Sequence, residues 1–139
     1  VALAPLVRRY TFIPDRVLTH GEELAYLGSA DGKAFTTSVA RTEVYKTPRW
    51  AFTEEHPPLS PRKAEQLAAL RLADTVSDSS LWLLRDINME SAGDGDHWVY
   101  DVRFVRGWPE YNSGPPPHPT LHFLGLMDGR VIDPQKSDK

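Results

Sequence analysis

The chain has 139 residues, of which 40% are hydrophobic and 25% charged, and its formal net charge is −3. This length and composition allow one domain with a substantial core and exclude wholesale disorder. Acidic and basic residues are interspersed, and no lysine and arginine block could follow a phosphate backbone, so nucleic acid is excluded as the main ligand. The absence of cysteine rules out disulfides, thiolate metal sites and cysteine nucleophiles.

The start of the chain, Val1–Val7, is apolar but short. It fits either the remnant of a removed signal or anchor segment or an ordinary first strand. The first interpretation predicts an exported, periplasmic or cell-envelope protein, with peripheral membrane association through such an anchor.

Residues 1–58 are predicted to be mainly β structure ending in an extended connector. Val7–Ile13 has the pattern of a short strand that stops at a proline. Glu22–Leu27 and Lys33–Tyr45 then flank a glycine-containing turn, Gly28–Gly32, which ends in an Asp-Gly pair. Because such a pair tolerates positive φ, we expect a β-hairpin here.

A single main helix is predicted from Pro61 to about Ala73. Ser60 is a favourable N-cap, and proline suits the first helical position because its missing N–H would have no partner there. Apolar residues recur at spacings of three and four, which predicts one buried face. This face consists of Ala64, Leu67, Ala68 and Leu72.

The second half is predicted to contain strands near 81–89, 97–106 and 120–127, followed by a polar tail at 135–139. In the first of these strands Leu81, Leu83, Ile87 and Met89 alternate, and Arg85 breaks the pattern. In the middle strand the alternating residues Trp98, Tyr100, Val102 and Phe104 form one face, which we expect to lie on the core. The other face, which includes Asp101, is expected to be largely in contact with water. A one-residue slip would reverse the two faces.

These elements predict an α+β fold for a single domain, 1–139. Residues 59–134 are predicted to form one main helix packed on a curved antiparallel sheet. A β-hairpin region precedes this segment in the chain.

The stretch DGDHWVYDVRF, Asp94–Phe104, raises the question of a metal site. Asp94 and Asp96, with Glu90 as a further candidate, are too few ligands for a calcium loop, and aspartate and glycine are common turn residues. His97, His118 and His122 could in principle hold zinc, but packing or surface roles are favoured. We therefore predict no metal and no cofactor, and calorimetry with calcium and zinc should find no stoichiometric ion.

The loop from Arg106 to Pro119 is the best candidate contact surface. Its three consecutive prolines, Pro115, Pro116 and Pro117, favour an extended polyproline II conformation that loses little entropy on binding. Trp108 and Tyr111 are aromatic anchors of the type that dominates interfaces. The alternative is a stiff loop whose aromatic residues fold back onto their own domain.

From residue 59 onward the order of features resembles the PepSY domain, a small α+β module of metalloprotease propeptides and exported bacterial proteins. The matching pieces are LSPRKAEQLA (59–68), GDHWVYDVRF (95–104) and LMDGRVI (126–132). The long loop at 107–119 and the short turn at 127–129 depart from the family pattern.

The resemblance implies export and the binding or inhibition of a protease or other envelope protein, with no catalytic residues. A non-catalytic binding module is therefore the leading hypothesis. A second is an accessory subunit of a larger assembly, in which Trp50, Trp108 and the proline-rich loop dock onto a neighbour. A third is a small-ligand pocket or enzyme in a cone-shaped α+β domain, which a buried polar cluster would favour.

Overall fold

The computed structural model describes residues 16–19, 22–51, 53–107 and 118–137. Within these residues one long helix accompanies an eight-stranded antiparallel sheet, so the α+β prediction is confirmed. The helical elements are α1 (Arg41–Val44), α2 (Pro61–Thr75) and a 3₁₀ turn (Ser79–Leu81). The strands are β1 (Arg16–Thr19), β2 (Glu23–Ala30), β3 (Lys33–Ala40), β4 (Trp82–Ser91), β5 (Trp98–Arg106), β6 (Thr120–Leu126), β7 (Val131–Ile132) and β8 (Gln135–Lys136).

The sheet runs in the order β4-β5-β6-β2-β3-β8, with β1 paired to β2 and β7 paired to β6. Part of the predicted tail is therefore a short strand, because Gln135 and Lys136 pair with Thr36 and Phe35. The predicted strand Val7–Ile13 lies outside the described residues.

The β2–β3 hairpin forms where it was predicted, but its turn is only two residues long. Asp31 and Gly32 have φ values of 54° and 74°. Two consecutive positive φ values suit the right-handed twist of paired strands, which explains the Asp-Gly pair.

The prediction that the return strand continues to Tyr45 was wrong. β3 ends at Ala40, and α1 follows. The amide of Arg41 donates to the carbonyl of Glu22 at 2.9 Å, and Val44 is fully buried in the core. Tertiary packing thus overrides the β propensity of this segment.

Helix α2 begins at the predicted residue and runs two residues further than expected. The Ser60 hydroxyl accepts the amide of Lys63 at 3.1 Å, as an N-cap should. Ala64, Ala68 and Leu72 are buried in one cluster with side chains of β5 and β6. No helix among the described residues is both long enough and apolar enough to cross a membrane.

The predicted register of β5 is confirmed on the side that faces α2. Tyr100, Val102 and Phe104 are buried in the same cluster as the helix residues. The Tyr100 hydroxyl donates to the carbonyl of Leu59 at 2.6 Å, and burial raises the pKa of this hydroxyl to about 12. The aromatic residues of this strand therefore belong to the core.

The other face of β5 is also buried, so the expectation of a wet face was wrong. Val99, Asp101 and Val105 are at most 1% exposed. A second cluster covers this side of the sheet, and its members are Leu24, Tyr26, Val39, Val44, Ala92, Val99, Leu124 and Leu126. Side chains of β2 and β3 thus shield the mixed face of β5 from water.

A register shift in β4 explains why its apolar alternation is broken at Arg85. The pairing with β5 is irregular between Leu84 and Asp86, so Arg85 is the extra residue of a β-bulge. Leu83 is exposed before the bulge, whereas Ile87 and Met89 pack against the α2 cluster after it.

Candidate partner-binding surface

The predicted contact residues Trp108, Tyr111 and Pro115–Pro117 lie outside the described residues. Their role in binding stays a prediction. The described chain reaches Gly107 and begins again at His118, so both flanks of the loop can be placed.

The two flanks of the loop leave the sheet side by side. Val105 and Thr120 are paired between β5 and β6, and the amide of Arg106 donates to the carbonyl of Pro119 at 3.0 Å. The amide of Gly107 donates to the carbonyl of Leu81 at 2.8 Å. The root of the loop therefore lies against the start of β4.

Two exposed leucines lie at this root. Leu81 is 51% exposed and Leu83 is 46% exposed. Sequence analysis missed them because alternation alone placed both on the apolar side of a strand, and a bulge cannot be recognised from alternation. Exposed apolar side chains beside a candidate contact loop fit an interaction surface.

An ion pair and a hydrogen bond hold the root in place. The Asp78 carboxylate accepts Nε of Arg106 at 2.7 Å and Nε1 of Trp82 at 3.0 Å. The hydrogen bond from Arg106 and then that from Trp82 lower the pKa of Asp78. These contacts join the end of β5 to the start of β4. The base of the loop is therefore held by side-chain contacts as well as by the sheet.

The Asp94–His97 stretch forms a tight turn, as predicted. Gly93 and Gly95 have φ values of 119° and 81°. Oδ1 of Asp94 accepts the amides of Asp96 and His97, each at 2.9 Å, and Oδ2 lies 2.6 Å from Nδ1 of His97. Partial burial acts to raise the pKa of Asp94, but these hydrogen bonds outweigh it and hold the pKa at about 2.

This depressed pKa predicts an acid-sensitive contribution to stability. A carboxyl group with a folded pKa of about 2 contributes fully above its unfolded pKa, about 3.9, and loses that contribution as pH falls toward 2. We expect Asp94→Asn to lower the free energy of unfolding by about 1 kcal/mol at about pH 6, a value discounted for solvent exposure. Urea unfolding should show a much smaller difference at about pH 2. A difference that does not change with pH would contradict the charge-based explanation.

Trp50 belongs to the domain's own structure, so its predicted role as a docking residue was wrong. It is 9% exposed and its ring meets that of Trp98 edge-on, with centroids 5.9 Å apart. Its carbonyl accepts Nε1 of Trp98 at 3.0 Å. Trp50 therefore covers one end of the β4–β5 hairpin.

A buried polar pair lies on the mixed face of β5, beside the second cluster, and the sequence did not predict it. Nδ1 of His122 is 2.7 Å from Oδ1 of Asp101, and both side chains are fully buried. The Tyr26 ring stacks on His122 at a centroid distance of 5.2 Å, and the Thr37 hydroxyl donates to the carbonyl of His122 at 2.7 Å. The sequence pattern places Asp101 on a face that was expected to contact water, so its pairing with His122 was not predicted.

The zinc alternative is not supported by this geometry. His97 is bonded to Asp94 on the β4–β5 turn, whereas His122 is bonded to Asp101 inside the sheet. In the part of the chain that the structure describes, no group of three or more His, Asp or Glu side chains could hold a metal ion. The calorimetric test of calcium and zinc binding stays a prediction.

No family model, curated protein or solved structure matches the chain. The PepSY resemblance therefore rests only on the segments 59–68, 95–104 and 126–132.

Proposed function

We propose that this protein is a non-catalytic binding module, exported or associated with the cell envelope, that acts through contact with another protein. The loop carrying Trp108, Tyr111 and Pro115–Pro117, together with Leu81 and Leu83 at its root, forms the contact surface. In keeping with the PepSY resemblance, the partner is a protease or another envelope protein, and binding can inhibit it.

The observation that carries this proposal is the position of the exposed leucines. Leu81 is bonded through its carbonyl to Gly107, and Leu83 is paired with Val105, directly before the loop. The sequence independently has two large aromatic residues and three consecutive prolines in that loop. Exposed apolar side chains at the base of a loop that carries tryptophan and tyrosine fit an interaction surface.

We also propose that the sheet on which α2 packs is curved. Its support is the presence of two buried clusters, one on the α2 side of β5 and β6 and one on the other. A sheet that bends around the second cluster would bring β2 and β3 over it.

A small-ligand pocket or an enzyme is the second candidate, favoured by the buried pair of Asp101 and His122. Against it stands the complete burial of both side chains, since a reacting group must reach its substrate. The exposed surface at the loop root supports binding of a macromolecule better.

The test begins with the immobilised chain, used to capture a partner from an envelope fraction, followed by titration of the identified partner. Trp108→Ala should weaken its affinity by at least about tenfold, because an aromatic anchor buried in a pocket is worth about 2 kcal/mol or more. Leu83→Ser should weaken it roughly fivefold by removing apolar contact area.

Two control variants should leave the affinity unchanged. Leu70→Ser alters an exposed leucine on α2, which is 66% exposed, and Lys136→Ala alters an exposed residue of β8. Melting temperatures must be measured for every variant. If Trp108→Ala lowers the melting temperature but leaves partner affinity intact, the loop only packs on its own domain and the proposal is wrong.

A further inference from the structure

Asp-Gly pairs occur three times in the sequence, and each one connects two strands of the sheet. They are Asp31-Gly32 between β2 and β3, Asp94-Gly95 between β4 and β5, and Asp128-Gly129 between β6 and β7. In such a pair the glycine nitrogen can attack the aspartate side chain, because glycine carries no side chain that hinders the approach. The chain therefore offers one reaction in three different surroundings.

Hydrogen bonds restrain the carboxyl group of Asp94. Oδ1 accepts the amides of Asp96 and His97, and Oδ2 is bonded to the His97 ring. Because the pKa of this group is held at about 2, its protonated form, whose hydroxyl can leave as water, is rare at mildly acidic and neutral pH. Both the position and the ionisation of Asp94 thus oppose the reaction.

Asp128-Gly129 is restrained at both reacting groups. Oδ1 of Asp128 accepts the amide of Arg130 at 3.2 Å, and Oδ2 accepts Nε of Arg130 at 2.9 Å. The amide of Gly129, which would be the attacking nitrogen, donates to the carbonyl of Leu126 at 2.9 Å. These bonds must break before the reaction can begin.

Asp31-Gly32 has none of these restraints within the described part of the chain. Both residues are exposed, the Asp31 carboxylate has no hydrogen bond or ion pair, and the Gly32 amide has no backbone partner. A Cβ atom at Gly32 would meet nothing within 4 Å, so the space around the glycine is open. The last strand pair, Ala30 with Lys33, closes the hairpin directly beneath the turn. The tip can therefore open without separating the strands.

We infer that Asp31-Gly32 is a site of spontaneous aspartate isomerisation in the folded protein, and that Asp94-Gly95 and Asp128-Gly129 are protected from it. The inference is independent of the proposed binding function, since it concerns a covalent modification of the β2–β3 turn.

The reaction needs only water. The Gly32 nitrogen bonds to Cγ of Asp31, its proton and the side-chain hydroxyl leave as one water molecule, and a five-membered succinimide ring forms. Water then adds to one of the two ring carbonyls and breaks the bond from that carbonyl to the nitrogen. When the former backbone carbonyl of Asp31 is attacked, the chain continues through Cγ and carries one additional backbone carbon atom. The two-residue turn, whose positive φ values fit the twist of β2 and β3, is then lost.

Incubation of the folded chain at mildly acidic pH, below its melting temperature, tests the inference. Tryptic peptides report each pair separately, because lysine or arginine lies between any two of the pairs. Chromatography with mass spectrometry then distinguishes isoaspartyl from aspartyl peptides of equal mass. Isoaspartate should form at Asp31 at least about fivefold faster than at Asp94 or Asp128, since the restraining hydrogen bonds must break first. In the same chain unfolded in guanidinium chloride, the three rates should come close together.

His97→Ala provides a matched variant, since it frees Oδ2 of Asp94. Isomerisation at Asp94 should become about twofold faster or more, with no change at Asp31. Circular dichroism establishes that the variant is folded.

Three results would overturn the inference. The first is the same ratio of rates at the three pairs in the folded and the unfolded chain, because the reaction would then proceed only through global unfolding. The second is a rate at Asp31 in the folded chain as slow as at the other two pairs, because the turn itself would then be protective. The third is an unchanged rate at Asp94 in folded His97→Ala, because hydrogen bonding would then not be the source of protection.

Discussion

Asp101→Ala is expected to lower the free energy of unfolding by about 3 kcal/mol, one of the two largest effects in the molecule. The His122 ring is fully buried and lies 2.7 Å from the Asp101 carboxylate, so the substitution leaves a buried imidazole without this acceptor. The loss of volume inside a covered sheet adds to the effect. Urea unfolding at neutral pH measures it directly.

Asp133→Ala is the control, because it removes an aspartate from the partly exposed pair with Arg71 and should change stability by about 0.5 kcal/mol or less. A double-mutant cycle with His122→Ala should give a coupling energy of at least about 1 kcal/mol between Asp101 and His122. If the two substitutions are additive, the pair is not the source of the effect.

Gly28→Ala is the second substitution with a large expected effect, also about 3 kcal/mol. A Cβ atom at this position would lie 2.3 Å from the backbone carbonyl oxygen of Thr120. Neither backbone can yield without disturbing the neighbouring pair of Ser29 and Thr120, which joins β2 to β6. Thermal or urea unfolding should show the loss.

Gly125→Ala is the matched control for this substitution. A Cβ atom there would meet Cβ of Ala64 at 3.6 Å, which is ordinary van der Waals contact. We expect a change within about 1 kcal/mol. Equal losses for the two variants would show that general glycine effects, and not the close approach of β2 and β6, determine the result.

The elements that could be predicted from the sequence depend on local rules. The N-cap Ser60 with the following proline defines the start of α2, and the Asp-Gly pair defines the β2–β3 turn, since each acts on neighbouring backbone groups. The aromatic face of β5 could be predicted because its alternation is strong on that side.

The features that could not be predicted depend on contacts between distant segments. Asp101 looked like a solvent-facing residue because alternation assumes that a mixed face is wet, whereas β2 and β3 cover it. Val44 was assigned to a strand on propensity, but its burial is decided by partners far along the chain.

The same distinction between local rules and distant contacts applies to the candidate site. Proline and aromatic content predict that the loop of Trp108 and Tyr111 is a contact segment, and this stays a prediction because these residues lie outside the described ones. The exposure of Leu81 and Leu83 could not be foreseen, because it follows from the bulge at Arg85 and from the hydrogen bond between Gly107 and Leu81.

The hydrogen bonds at the base of the loop bear on how much the length of the loop can change. Because Arg106 and Pro119 are hydrogen bonded and Val105 pairs with Thr120, the sheet is complete on both sides of the loop. In general, doubling the length of a flexible connection between two fixed ends costs only about 0.6 kcal/mol. We therefore expect changes of length between 107 and 118 to leave the pairing of β5 with β6 intact. Under the proposed function, partner preference would then be able to change while the fold is kept.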